Sequence, residues 1–299
     1  MLLNLSQQTC RSVLSARASL QNQSLGQSVR NMATLKEIQI RLKSITNISK
    51  ITASMKMIAS TKTARAQRSM EAARQNGIIS ADCAKFTEVK DQDEAKKILI
   101  VSSSDKGLCG GIHSSVSRFT RNLLREHPES KIVIIGDKSK AQLSRIASNN
   151  IYLNFNQIGQ LIPSYEESCG IASSILEDPD LNFDVADIIF NKFVSPISYE
   201  SNVLKSFSAE YISNAPNFAV YEIPDGALEN YNEFMFANNV HWAIVEGHAA
   251  EMAAKRAAME NATSNAGDLI QRLTLQYNRG RQAVITNQLI EVITGASAL

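Results

Sequence analysis

The chain has 299 residues, 44% of them hydrophobic, with six prolines and a formal net charge of +2. That composition describes a folded chain with room for one or two cores, and it excludes a low-complexity tract and a strongly polyanionic or polycationic protein. The four cysteines, Cys10, Cys83, Cys109 and Cys169, lie far apart without metal-ligand spacing, and fit a reducing compartment with idle thiols better than a disulfide framework.

Residues 1–32 carry Arg11, Arg17 and Arg30, six serines, and no acidic residue before Glu37. A basic, serine-rich, acid-free leader reads as a mitochondrial transit peptide cleaved near Met32 or Ala33, with an ordinary tail as the alternative. No run of about 18 apolar residues follows, so no membrane span is expected in the mature chain.

Thr34 and Glu37 form a capping box that opens a helix, and residues 33–90 read as an N-terminal coiled-coil helix with no proline and one glycine, Gly77. At 1.5 Å per residue it reaches roughly 85 Å, against about 45 to 50 Å for a compact body of this chain length. Leu35, Ile38, Leu42, Ile45, Ile48, Ile51, Met55 and Ile58 recur at steps of three and four, a stripe expected to drift around the helix and overwind a partner. The same helix carries Lys36, Arg41, Lys43, Lys50, Lys56, Lys62, Arg65, Arg68 and Arg74 against only Glu37 and Glu71. So one-sided a charge implies an acidic partner surface. The helix lacks the stacking aromatics of a nucleic-acid binder, and Lys62, Arg65 and Arg74 read as simple helix solubility.

Between 96 and 222 the pattern changes to β-rich runs at 97–101, 131–135, 151–155 and 185–193, with a further strand at 203–209. Helical stretches fall near 115–125, 139–147 and 165–176. Such alternation predicts a Rossmann-like α/β layer with a mostly parallel sheet. The loop Ser104-Asp105-Lys106-Gly107-Leu108-Cys109-Gly110-Gly111 follows the first strand, where phosphate-binding loops sit, but matches neither glycine-rich phosphate signature. Cys109 with His113 is a weak nucleophile pair, and a structural cysteine is the preferred reading.

Residues 225–299 form the second long helical segment, proline-free through Thr294. Tyr231, Met235, Trp242, Val245, Ala249, Met252, Met259, Ala266, Ile270, Leu273, Tyr277 and Val284 fall on one three-four series that also holds Asn238, Arg256 and Thr263. Its alanines allow a helix to approach closely. The simplest partner is the N-terminal helix, running antiparallel; a bundle folded back on itself is the alternative.

The residues also carry a resemblance. Thr34-Leu35-Lys36-Glu37, Arg41-Leu42-Lys43-Ser44-Ile45 and Met55-Lys56-Met57, then Ser104 to Gly110, and finally Arg281-Gln282-Ala283-Val284-Ile285-Thr286 with Ile293-Thr294-Gly295-Ala296 are similar, in order, to the opening, central and closing motifs of the ATP synthase gamma family. The resemblance implies a non-catalytic rotor of the mitochondrial inner membrane's matrix side, with no cofactor. Its implied partners are the alpha and beta subunits, the delta and epsilon subunits of the stalk, and the c-ring. By motif, Met55, Lys56, Arg281, Gln282 and Thr286 match contacts with the catalytic ring, and Lys106, Arg118 and Arg121 match basic positions facing an acidic lever of a beta subunit. Gln160 stands where relatives have a basic residue and Gln288 where they have glutamate, so hydrogen bonds survive there without charge pairing. No closely spaced cysteine pair marks a thiol-regulated form. An α/β enzyme with helical dimerisation arms and a basic coiled-coil adaptor for nucleic acid are the competing readings, separated by nucleotide turnover and by salt-dependent binding to DNA or RNA.

Overall fold

A computed structural model describes residues 35–86, 95–215, 218–220, 223–224 and 226–298, the side chains of 80–86 and 219 apart. The leader at 1–32, the capping threonine Thr34 and the thiols of Cys10 and Cys83 lie outside the described residues. In chain order come α1 (Leu35–Phe86), β1 (Lys97–Ser102), α2 (Ile112–Glu126), β2 (Lys131–Ile135), α3 (Asp137–Leu143) and β3 (Ile151–Phe155). They are followed by α4 (Tyr165–Leu176), β4 (Val185–Phe193), β5 (Tyr199–Phe207), α5 (Ala209–Ser213) and α6 (Ala227–Ser297), with short 3-10 turns between. The described chain divides into two compact units, Ser49–Asn265 and the two segments on either side of it. No helix among the described residues is long and apolar enough to cross a membrane.

The sheet has the order β3-β2-β1-β4-β5. β1 pairs in parallel with β2 and β4, β2 in parallel with β3, and only the β4–β5 pair is antiparallel. Strands 97–102 and 185–193 are largely apolar, with Asp187 and Asn191 buried within the second, because helices cover both faces. Ile98, Ile100, Val133, Ile135, Ile188 and Phe190 point to α4 and to the first turns of α6, where Phe236, Val240 and Ile244 meet them. Leu99, Val101, Ile132, Ile134 and Ile189 point the other way, to Val116 of α2 and Leu143 of α3. The alternation is the two-residue period of a pleated strand.

The fifth strand begins at Tyr199, four residues before the predicted start. Ser208 beyond its end accepts the Tyr211 amide and caps α5 instead of continuing the strand. Tyr199-Glu200-Ser201-Asn202 is too polar to read as a strand, yet an edge strand covered on one face needs no apolar run.

Within the Ser49–Asn265 unit α1 and α6 run antiparallel: Thr263 donates to Thr52 at 2.9 Å, Lys56 meets Glu260 at 2.7 Å, and Arg74 meets Glu246. In the other unit Gly280 of α6 faces Leu35 of α1. The α6 series from Met235 to Tyr277 is the side that turns inward; Tyr231 and Val284, at its two ends, are exposed. The α1 stripe is different. Its buried positions are Thr52, Ala59, Thr63, Ala66, Met70, Ala73 and Gly77, a strict alternation of seven-residue repeats that extends the half-buried Leu35, Ile38, Leu42 and Ile45. Ile48, Ile51 and Ile58 stay 49%, 55% and 56% exposed, so the expected drift does not occur. Small and hydroxylated residues take the seam because they let α1 approach the alanines of α6. At Gly77 the fit is tightest: any Cβ there would lie only 2.3 Å from carbons of the Trp242 indole.

Candidate partner-binding surfaces

The loop after β1 is built to hold itself. Asp105 Oδ1 accepts the Asp137 amide at 2.7 Å, and Oδ2 accepts the Gln157 amide at 2.6 Å. Gly136, at φ 101°, lets that turn pass so close that a Cβ there would lie 2.7 Å from the Ser104 nitrogen. Asp105 thus covers amides that a phosphate would use. Behind the loop, Ser104, His113, His248 and Glu251 border a cavity of about 30 Å³, room for one or two waters and far below the size of a nucleotide site.

Cys109 is a buried thiol. Its Sγ lies 3.2 Å from the Gly107 carbonyl and 3.4 Å from Glu251 Oε1. Burial first, then the Glu251 charge, pushes the thiol up to about 12, so the reactive thiolate does not form near neutral pH. His113 instead puts Nε2 3.1 Å from the Lys106 carbonyl.

His248 is held at a pKa of about 4 by burial, with the Lys106 and Lys62 charges adding to it. Its folded value lies below its unfolded one. The contribution of the neutral ring is therefore complete above about pH 6.5 and is lost as pH falls through 4. His113 and His241 shift in the same direction, burial being the main cause. The expected result is a melting temperature that drops between pH 7 and 4.5, with His248→Gln removing up to about 3 kcal/mol of that dependence. Thermal denaturation followed by circular dichroism checks it, and an unchanged slope in the variant contradicts it.

The predicted contact residues separate into three places. Met55 and Lys106 meet in one groove of about 200 Å³, lined also by Ile58, Ala59, Lys62, Met252 and Lys255. Three ammonium groups border its apolar floor. Lys56, beside it, pairs with Glu260, whose carboxyl it holds below the usual range, and the two side chains are 41% and 53% exposed. Lys106 Nζ donates to the backbone carbonyl of Gln160, so the contact does not depend on which side chain Gln160 carries.

Arg118 and Arg121 form the second place, on α2. Arg118 is exposed, and Arg121 Nε donates to the Ser117 carbonyl at 3.3 Å.

Arg281, Gln282 and Thr286 occupy the third place, the end of α6, where every residue from 281 to 298 is exposed. Thr286 donates to the Gln282 carbonyl at 2.9 Å. Ile285, Leu289, Ile290, Val292 and Ile293 project from the same stretch. Among the described residues nothing covers that apolar surface, a pattern typical of contacts between chains.

One residue was misjudged from sequence: Arg74, read as a solubility residue, is drawn inward to a buried acid, whereas Lys62, read the same way, is exposed and borders the groove. Lys255 was missed, because nothing in its sequence neighbourhood ties it to 62 and 106. Cys109 and Cys169 are free thiols among the described residues.

Residues 34–299 match the family model described as ATP synthase. The ATP synthase subunit gamma, mitochondrial, of Yarrowia lipolytica is 44% identical over 91% of this chain and 94% of its own length. The ATP synthase F(1) complex subunit gamma, mitochondrial, of Rattus norvegicus is 43% identical over 89% of this chain and 100% of its own. Among solved structures, a chain from the Tetrahymena thermophila mitochondrial ATP synthase central stalk and c-ring superposes with a TM-score of 0.60 at 25% identity, covering 71% of this chain and 99% of its own. A chain of the Euglena gracilis mitochondrial ATP synthase shares the fold at a TM-score of 0.70 and 19% identity, covering 89% of this chain and 94% of its own.

Proposed function

Because this chain belongs to the gamma-subunit family of mitochondrial ATP synthase, a central-stalk component, we propose that it carries no reaction of its own and works as the rotor. In this reading the α1–α6 pair turns inside a ring of alternating alpha and beta subunits. The sheet domain rests with the delta and epsilon subunits on the c-ring, peripheral to the matrix side of the mitochondrial inner membrane. The single observation that carries the reading is the end of α6, where residues 281–298 are all exposed among the described residues and Val284, Ile285, Leu289, Ile290, Val292 and Ile293 stand uncovered.

Turning changes which beta subunit meets a given face of the stalk. Conformations of different nucleotide affinity are then favoured in sequence, since a partner biases states only through contacts that differ between them. Arg281, Gln282 and Thr286 act at the exposed end of α6. Met55, Lys56 and Lys106 act at the groove, and Arg118 and Arg121 at α2. Their contacts must break as readily as they form, which suits solvent-screened charge better than buried ion pairs.

The domain limits proposed are a leader at 1–32, the first helix at 33–90, the sheet domain at 96–222 and the second helix at 225–299.

The test is purification of the tagged full-length chain from mitochondrial membranes. Alpha, beta, delta, epsilon and c subunits are expected in the same complex. Nucleotide turnover by the chain alone, or its recovery without those partners, would overturn the reading.

Two smaller outcomes follow from the same surfaces. Lys56→Ala is expected to change the hydrolysis rate of the assembled complex by less than about threefold without blocking assembly, since an exposed pair contributes little. Gel filtration and a coupled ATPase assay check it. With Cys109 buried and Cys169 unpaired, dithiol reductant is expected to leave that rate unchanged. A thiol-dependent rate would contradict this.

A further inference from the structure

We propose that Arg74 is the register lock through which the sheet domain drives both long helices together, a positioning role that rests on the rotor reading. Its guanidinium is shared among three elements. Nη2 donates to Glu246 Oε1 on α6 at 2.5 Å and to the Phe193 carbonyl at the end of β4 at 2.9 Å, while Nε donates to Glu246 Oε2 at 3.3 Å. Glu246 has no exposed surface, and Trp242 Nε1 donates to its Oε2 at 2.6 Å. Both carboxylate oxygens are used, and a planar fork fixes their direction in a way a point charge does not.

Around this node the rest of the seam is apolar packing: Ala66, Met70 and Ala73 are buried against α6, and Gly77 takes the Trp242 ring. Polar links between the helices elsewhere include the Thr52–Thr263 hydrogen bond and the exposed Lys56–Glu260 pair, which solvent screens. A slip of either helix, or a twist of α1 against β4, pulls the fork from a carboxylate that has no water to turn to. Torque reaching the sheet domain is passed at this node to α1 and α6 at once, and the two stay in register as they turn.

The test uses assembled ATP synthase in inverted membrane vesicles, with ATP hydrolysis and ATP-driven proton pumping measured on one preparation. Arg74→Met strands Glu246; the double variant Arg74→Met with Glu246→Met removes both charges and leaves none stranded. The expected result for the double variant is hydrolysis within about twofold of wild type and pumping per ATP reduced at least about threefold. Arg74→Lys, which keeps the charge and loses the fork, is expected to fall between. An assembled double variant with the wild-type ratio of pumping to hydrolysis overturns the lock. So does failure of both Met variants to assemble, which leaves Arg74 a folding role alone. Failure of the rotor reading looks different: the wild-type chain itself then enters no pumping complex.

Discussion

Arg74→Ala is expected to lower the free energy of unfolding by about 3–5 kcal/mol, the cost of stranding a buried carboxylate. Glu246 has no exposed surface, and its remaining donor is the Trp242 indole, so the charge can neither hydrate nor find a second cation. Urea denaturation of the full chain measures the loss. Replacing both residues by methionine is expected to restore most of it, because the pair contributes fixed geometry more than net stability. A single variant as stable as wild type would mean that water reaches Glu246, and would undo the account of this node.

Gly136→Val is expected to destabilise by about 3 kcal/mol or more, from two costs that add. At φ 101° a β-branched residue is strained whatever surrounds it, and its Cβ would press on backbone atoms of Ser104. Those atoms cannot swing aside as a side chain would, because Ser103 donates to the Ile135 carbonyl on both its amide and its hydroxyl. The midpoint of urea unfolding checks the prediction, and loss of soluble protein would show the same defect more severely. A shift under 1 kcal/mol, tested against the same strain cost, would contradict it.

The sheet was legible because its central strands are buried on both faces, and burial on both faces leaves an apolar run such as Ile98 to Val101, or Val185 to Phe190 broken only by Asp187. The long helices were legible from missing proline and a sustained period. The α1 seam was not. Ile48, Ile51 and Ile58 are larger and more apolar than Thr52, Ala59 and Thr63, and a reading by hydrophobicity alone favours them. Packing against the alanines of α6 selects instead for small volume, and the isoleucines are left outward for other contacts.

The candidate site was legible as motif but not as geometry. Residues 55 and 106 meet in a groove only because α1 crosses the loop after β1, a long-range pairing with no local signal. Arg74 looks like its neighbours Arg65 and Arg68 in sequence. Its difference lies in Glu246, 172 positions away. Asp105 was quoted within a motif without a role, and the amides it accepts come from the first residue of α3 and from the loop after β3.

A glycine-rich turn at the carboxyl end of a parallel sheet is where many α/β proteins seat a polyphosphate. In this chain the seat is taken by Asp105, a group that cannot diffuse away. An incoming phosphate would meet negative charge and spent donors. The same carboxylate ties the start of α3 and the loop after β3 to the loop after β1, so the turn is braced by its own chain.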